Sequence, residues 1–188
     1  MTAELATAHY ISIEEYLEGE ILAEQKHEYL AGIVYAMAGG TKEHAAIASN
    51  LIGLLHAQLR GHRCRPFNSD LKLRIRLADQ TRFYYPDVQV VCRQNPPGDH
   101  FQDEPVLVFE VVSESTRRID EQEKRPAYLS IPTLNAYVLI EQDRSAATVW
   151  RRTAQGFVRE DYTGADAVLA FGEIDARLNL GELREGLE

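Results

Sequence analysis

The stretch YYPDVQVVC, residues 84–92, decides how this chain is read, because it sets a carboxylate at the mouth of an apolar strand. Pro86-Asp87 opens a run in which Val88, Val90 and Val91 require burial. A second run, PVLVFEVV at residues 105–112, carries Glu110 inside it. Strand alternation puts Val106, Val108 and Glu110 on one face and Leu107, Phe109 and Val111 on the other. A carboxylate in such a run is expensive to bury unless it is paired or binds a cation. If the two strands run antiparallel, the start of one lies beside the end of the other, and Asp87 and Glu110 converge. Two like charges that close need a cation between them, or one must hold a proton. Oxygen donors without a Cys or His cluster favour a hard ion such as Mg2+. The plainer alternatives are a turn residue after Pro86 for Asp87 and a buried salt bridge for Glu110.

Around these runs the remaining segments fall into place. Ser12 to about Ile21 reads as a short helix with a capping box from Ser12 and Glu15. Glu28 to Ala38 reads as a hairpin turning at Ala31-Gly32. Thr41 to about Leu59 is the clearest helix, capped by Thr41, with Ile47, Leu51, Leu54 and Leu55 at helical spacing and Gly61 as the stop. Strands are expected at Leu71–Leu77, Tyr85–Cys92 and Val106–Val112, and the polar segment Ser113–Leu129 reads as helix. Further strands are expected at Ala136–Glu141, Ala147–Arg152, Phe157–Tyr162 and near Ala167–Phe171, followed by a final polar helix. This order gives an α/β or α+β fold, a mixed central sheet with helices on its faces.

At 188 residues the chain suits one domain spanning 1–188, with 1–26 as an N-terminal helical extension. A hydrophobic share of 45% and a charged share of 26% are those of an ordinary soluble protein. No apolar run approaches the ~20 residues that cross a bilayer, and Met1 to Tyr10 lacks a signal-peptide pattern. Cys64 and Cys92, far apart and outside any CxxC spacing, argue against a zinc knuckle or a disulfide framework, so the cytoplasm is the expected compartment. The net charge of −9 opposes non-specific adhesion to nucleic acid. Two local basic runs stand against it: RGHRCR, with Arg60, Arg63 and Arg65, and LKLRIR, with Lys72, Arg74 and Arg76. Each reads either as a solvated face or as a track for phosphates. A phosphatase reading is weak, since no Gly-rich phosphate loop or HD pair occurs, and Ala38-Gly39-Gly40 reads as a turn.

The order of these pieces resembles the PD-(D/E)XK nuclease superfamily, and in its finer pattern the Uma-two branch of restriction-type endonucleases. The resemblance is carried by HEYLAGIVYAMAGGTKEHAAIASNL (27–51), YPDVQVV (85–91), VFEVVSEST (108–116), DEQEKRPAY (120–128) and SIPTLNAYVLIE (130–141). It implies a restriction-endonuclease-like core, DNA as substrate, Mg2+ or Mn2+ as cofactor and, by analogy, a homodimer. Asp87, Glu110 and the carbonyl of Val111 match the metal ligands. Glu28 matches an additional early acid, and His44 a position that contacts phosphate or orients water. Asp70 matches a more distant supporting group. The usual lysine two residues after the glutamate is replaced by Val112, and Glu114 stands where the branch often has proline. The resemblance passes the lysine's role to Lys124 in the following helix, with Tyr128 one turn on. Pro126 conflicts with an uninterrupted helix there. The competing reading is a nuclease fold that no longer cuts and serves as a binding module. For Glu28, His44 and Lys124 the plainer readings are a surface acid, a packed helix-end histidine and a solvated lysine.

Overall fold

A computed structural model describes residues 10–37, 39–114 and 116–187. The signal-peptide reading of the first residues, the turn at Ala38 and the Ala38 end of the expected hairpin lie outside them. The chain is α+β, built on a six-stranded and a five-stranded sheet that share a buried cluster, with a separate two-stranded sheet.

Helix α1 (Ile13–Leu22) starts at Ser12, whose hydroxyl accepts from the Glu15 amide while the Glu15 carboxylate accepts from the Ser12 amide. Strands β1 (His27–Leu30) and β2 (Ile33–Ala36) form the expected hairpin. Its two turn residues, Ala31 and Gly32, both have positive φ, the conformation that a two-residue turn needs to match strand twist. Helix α2 (Lys42–Gln58) begins at the Thr41 cap and buries Ile47, Leu51 and Leu55 completely. Those three side chains contribute roughly 5–9 kcal/mol of apolar burial, against about 1 kcal/mol for the cap. Packing therefore holds α2, and the cap sets where it starts.

Strands β3 (Arg65–Asn68), β4 (Lys72–Arg76), β5 (Thr81–Tyr84), β6 (Val88–Val91), β7 (Phe101–Gln102) and β8 (Pro105–Val112) follow. The expected strand Tyr85–Cys92 is shorter than the sequence pattern gave: Tyr84 ends β5 in one sheet, and Val88 starts β6 in the other. Pro86 explains the break. It has no N–H to give a ladder and restricts the residue before it. Asp87 thus sits on a corner between two sheets.

After β8 a π-helical turn (Ile119–Lys124) runs into α3 (Arg125–Leu129). Strands β9 (Ala136–Glu141), β10 (Ala146–Thr153), β11 (Gly156–Thr163), β12 (Val168–Phe171) and β13 (Ala176–Asn179) complete the fold. The chain ends in a short 3-10 turn (Glu182–Arg184) where a helix was expected, and β13 was not anticipated. The six-stranded sheet has the order β11-β10-β9-β8-β6-β3, and the five-stranded sheet β2-β1-β5-β4-β7. In the larger sheet β8 runs parallel to β9 and antiparallel to β6.

Leu107, Phe109 and Val111 pack toward α2 and the β12–β13 hairpin. Val108 and Val112 face the opposite way, with Tyr84, Tyr128 and Tyr137. Strand β8 is therefore buried on both faces, and Glu110 points into the second side. Cys64 and Cys92, one step beyond the Arg65↔Val91 pair, form a disulfide, which corrects the reading against one. Antiparallel register brings them together, something their separation of 28 residues does not express. No helix among the described residues is long and apolar enough to cross a membrane.

The small β4–β7 edge is fastened by Asp103, which accepts two hydrogen bonds from Arg74, at 2.7 and 2.8 Å. Burial raises the Asp103 pKa, but Arg74, with Arg76 and Asn95, outweighs it and holds the carboxyl below its ordinary value of 3.8. A depressed carboxyl stabilises the fold above its unfolded value and loses that contribution as pH falls through the folded one. Asp103→Asn is expected to lose about 1–2 kcal/mol at pH 7. Urea melts should show this gap from wild type closing as pH drops below 3.8.

Candidate active site

Antiparallel pairing of β6 with β8 sets Val88 opposite Phe109, so Asp87 meets the far end of β8. The contact is direct. The Val111 amide donates to Asp87 Oδ2 at 2.7 Å, and the Asp87 amide lies 3.3 Å from Glu110 Oε2. Each acid is thus braced by an amide on the segment that carries the other.

His44 is the third residue of α2. The Thr41 hydroxyl accepts its amide at 3.2 Å, and its Nε2 stands 2.8 Å from Asp87 Oδ1. That hydrogen bond raises the His44 pKa above 6.5, against the lowering effect of burial. Gly40 lies against the imidazole: an added Cβ would stand 3.0 Å from the ring, so the histidine would have to shift by a few tenths of an ångström.

Lys124 enters from the other side and is only 7% exposed. Its ammonium lies 3.0 Å from Glu28 Oε1, 3.3 Å from Glu110 Oε1 and 3.7 Å from Asp120 Oδ1. The contact with Glu28 is an ion pair without hydrogen-bond alignment, because Glu28 Oε1 is buried and makes no hydrogen bond. Tyr128 donates to the same Glu110 oxygen at 2.8 Å. Tyr84 lies beneath the ammonium, 5.6 Å from ring centre to nitrogen. Burial lifts the Tyr84 phenol to about 12, so the ring stays neutral.

The charge states follow from this packing. Burial pushes the Glu110 carboxyl well above its usual value; Lys124 opposes that, while Asp87 and Asp120 add to it. Burial likewise raises Asp120, with Lys124 again opposing. Lys124 itself would be pulled down by burial, but Glu110, Glu28 and Asp120 outweigh this and hold it well above 10.5.

The conflict over Pro126 is resolved by the π-helical turn. The Arg125 amide reaches back five residues to the Asp120 carbonyl. Pro126 then falls in the first turn of α3, where its missing N–H is tolerated. The Tyr137 hydroxyl donates to that same Asp120 carbonyl at 3.1 Å, fixing the wide turn from outside.

The structure therefore brings Glu28, His44, Asp87, Glu110, Val111 and Lys124 together, with Tyr128 among them. Asp70 stays apart, paired with Lys26 and Asn68. Asp120, given no part in the site from sequence, is a full member of the cluster. Its i,i+4 spacing to Lys124 was the available signal. The basic runs behave differently from a phosphate track. Lys72 turns inward and donates to the Tyr85 hydroxyl, and Arg74 is held by Asp103. Arg60, Arg63 and Arg65 are exposed beyond the C-terminal end of α2. Among the described residues, no three His, Cys, Asp or Glu side chains stand at metal-ligating spacing.

Comparison with known proteins bears on this arrangement. The Uma2 family, described as "Putative restriction endonuclease", matches residues 13–174. Two proteins of Synechocystis sp. (strain ATCC 27184 / PCC 6803 / Kazusa) are similar. "Uncharacterized protein slr1290" is 35% identical over 147 residues, covering 78% of this chain and 76% of that protein. "Uncharacterized protein sll1609" is 33% identical over 141 residues, covering 73% and 78%. The crystal structure of "a putative nuclease belonging to DUF820" from Anabaena variabilis ATCC 29413 shares the fold, with a TM-score of 0.68 at 20% identity, over 92% of this chain and 97% of that one. The chain is a nuclease-like protein and belongs to the Uma2 family.

Proposed function

We propose that this chain hydrolyses phosphodiester bonds in DNA as a metal-dependent endonuclease. The observation that carries the reading is the buried junction of Asp87, Glu110, Glu28 and Asp120 around the single ammonium of Lys124. Four acids crowd one ammonium and one imidazole in a low-dielectric site, and burial raises the Glu110 and Asp120 carboxyls, so a further cation would favour their ionised forms. The donor chemistry suits Mg2+ or Mn2+: the oxygens are hard, and the buried Glu28 Oε1 has no hydrogen bond to give up. Asp87, Glu110 and the Val111 carbonyl would hold the ion, which supplies Lewis acidity and lowers the pKa of a bound water.

The chain's own residues divide the remaining work. Lys124 is held protonated by its three acids, so its role is a fixed cation facing the charge that develops on the phosphate. It does not serve as a proton acceptor. Tyr128 shares the Glu110 oxygen with Lys124 and keeps that carboxylate from rotating. His44 orients Asp87 through Oδ1 while the Val111 amide holds Oδ2, which fixes the plane of the carboxylate. A homodimer accords with cutting both strands of a duplex.

A second reading is favoured by one observation: Asp87 and Glu110 already have internal hydrogen-bond partners, and no three ligands stand at metal spacing among the described residues. On that reading the cluster is a structural polar core in a binding module.

Two experiments separate these. Purified protein with Mg2+ or Mn2+ is expected to nick or linearise plasmid DNA, and chelation should stop it. Asp87→Ala and Glu110→Ala should each lower the rate by about 100-fold or more. Equal cleavage by the three proteins removes the assignment. Independently of activity, Lys124→Met leaves the acids without their cation and is expected to cost about 3–5 kcal/mol in urea unfolding. Adding Glu110→Gln in that background should recover part of the loss, because one buried charge is removed.

A further inference from the structure

A second buried polar network backs the cluster from the other face of the five-stranded sheet. Strand alternation on β1 and β5 sends Glu28 and Tyr84 toward Lys124, and sends His27, Tyr29, Phe83 and the following Tyr85 toward α1. There Glu20, in the last turn of α1, is the hub. Its Oε1 accepts from the His27 amide at 2.8 Å and from the Tyr85 hydroxyl at 2.8 Å. Its Oε2 lies 3.1 Å from His27 Nδ1. Lys72 donates to the Tyr85 hydroxyl at 3.1 Å and lies over the Tyr85 ring. The Tyr16 hydroxyl closes the set by donating to the His27 carbonyl. The Glu20 side chain is 5% exposed, Tyr85 4% and Lys72 6%. None of these side chains reaches the cluster itself.

Both ends of the network stand one short step from it. Tyr85 is joined to Asp87 through Pro86 alone. The proline fixes its own φ and confines Tyr85 to extended backbone, so an anchored tyrosine leaves the Asp87 corner few torsions to vary. His27 adjoins Glu28 on β1, where register ties Glu28 to Tyr35 of β2. Glu20 therefore clamps the two chain segments that deliver Asp87 and Glu28 from different sheet positions, although it belongs to a third. Carboxylate chemistry matters here. One oxygen accepts from two donors at once while its charge faces Lys72 through the shared hydroxyl. Burial pulls the Lys72 ammonium down, and Glu20 is the charge that opposes this.

We propose that Glu20 is a positioning residue for this site: acting through Tyr85 and His27, it sets where Asp87 and Glu28 present their carboxylates. The consequence for catalysis rests on the endonuclease reading above; the positioning itself does not, and the test keeps the two apart. Glu20→Gln and Tyr85→Phe are compared with Tyr162→Phe, which deletes a tyrosine hydroxyl bonded to Glu160 on the distant β11. In metal-free full-length protein, amide hydrogen exchange is read at Asp87 and Val111, whose N–H groups hydrogen-bond to Glu110 and Asp87. Both Glu20→Gln and Tyr85→Phe should speed exchange at these two amides about tenfold while β9 and β10 keep their wild-type rates. Unchanged rates at Asp87 and Val111 overturn the proposal. So does a uniform rise that includes β9 and β10, which would mark general destabilisation, or an equal local effect from Tyr162→Phe. In Mn2+-supported DNA cleavage, the two network variants should lose about tenfold in kcat with KM within about twofold, as expected when reacting groups are misplaced. A change in KM alone overturns the catalytic consequence. Failure of the endonuclease reading appears instead as a wild-type chain that does not cut, with the exchange result still deciding the role of Glu20.

Discussion

The site depends on one buried ammonium. Glu110 lies toward the end of a strand whose other residues are apolar and, Val106 apart, buried, a place where a lone carboxylate costs several kcal/mol. Lys124 makes that place tolerable, and it arrives by a specific backbone route. The wide π-helical turn swings Lys124 and Asp120 to one face, and α3 then starts early enough to carry Pro126 in its first turn. Tyr128, one turn on, reaches the same Glu110 oxygen. A lysine two residues after Glu110 would lie on the same strand face as the glutamate. Here that position is Val112, packed beside Tyr84 and Tyr128 in the apolar cluster. The chain has moved its cation to a helix and filled the vacated strand position with hydrocarbon.

How much of this the sequence carries depends on whether the deciding interaction is local. The Ser12–Glu15 capping box, the Ala31-Gly32 turn and the Thr41 cap are settled within four residues, and all three are present. The convergence of Asp87 with Glu110 was legible for a different reason. Alternation fixes the face of Glu110, and the antiparallel pairing of β6 with β8 brings the two ends together. Asp120 was half legible, through its spacing to Lys124. What stayed hidden was set by register or by the partner face. The Cys64–Cys92 disulfide follows from β3 lying beside β6, and with it goes the argument from unpaired thiols to a reducing compartment. Lys72 looked like part of an exposed basic stripe. Only the docking of α1 shows that its stem is covered and its ammonium spent on Tyr85. The division of the strands into two sheets was likewise hidden, although Pro86 marked the point of division.

These findings also change where a phosphate backbone would meet the chain. The net charge of −9 sets up a repulsive field, but salt screens exposed charges beyond about 8 Å at physiological ionic strength. Local cations then decide the encounter, and many of the arginines are committed elsewhere: Arg74 to Asp103, Arg117 to Glu141 and Arg151 to Glu160. The exposed run Arg60, Arg63 and Arg65 lies past the C-terminal end of α2, whereas His44 sits in its first turn. Fourteen residues of helical rise separate His44 from Gln58 at the end of α2, roughly 21 Å, about six base pairs of a duplex at 3.4 Å per step. On the endonuclease reading proposed above, a track of that kind would touch DNA to one side of the bond being cut and would add affinity without helping the chemistry. At the cluster itself the Lys124 ammonium is already balanced by Glu28, Glu110 and Asp120, and the His44 imidazole is held by Asp87. A phosphate approaching such a surplus of negative charge is repelled unless further positive charge enters with it. On the endonuclease reading proposed above, the same four acids that the fold struggles to bury would make a divalent ion necessary for substrate binding as well as for hydrolysis.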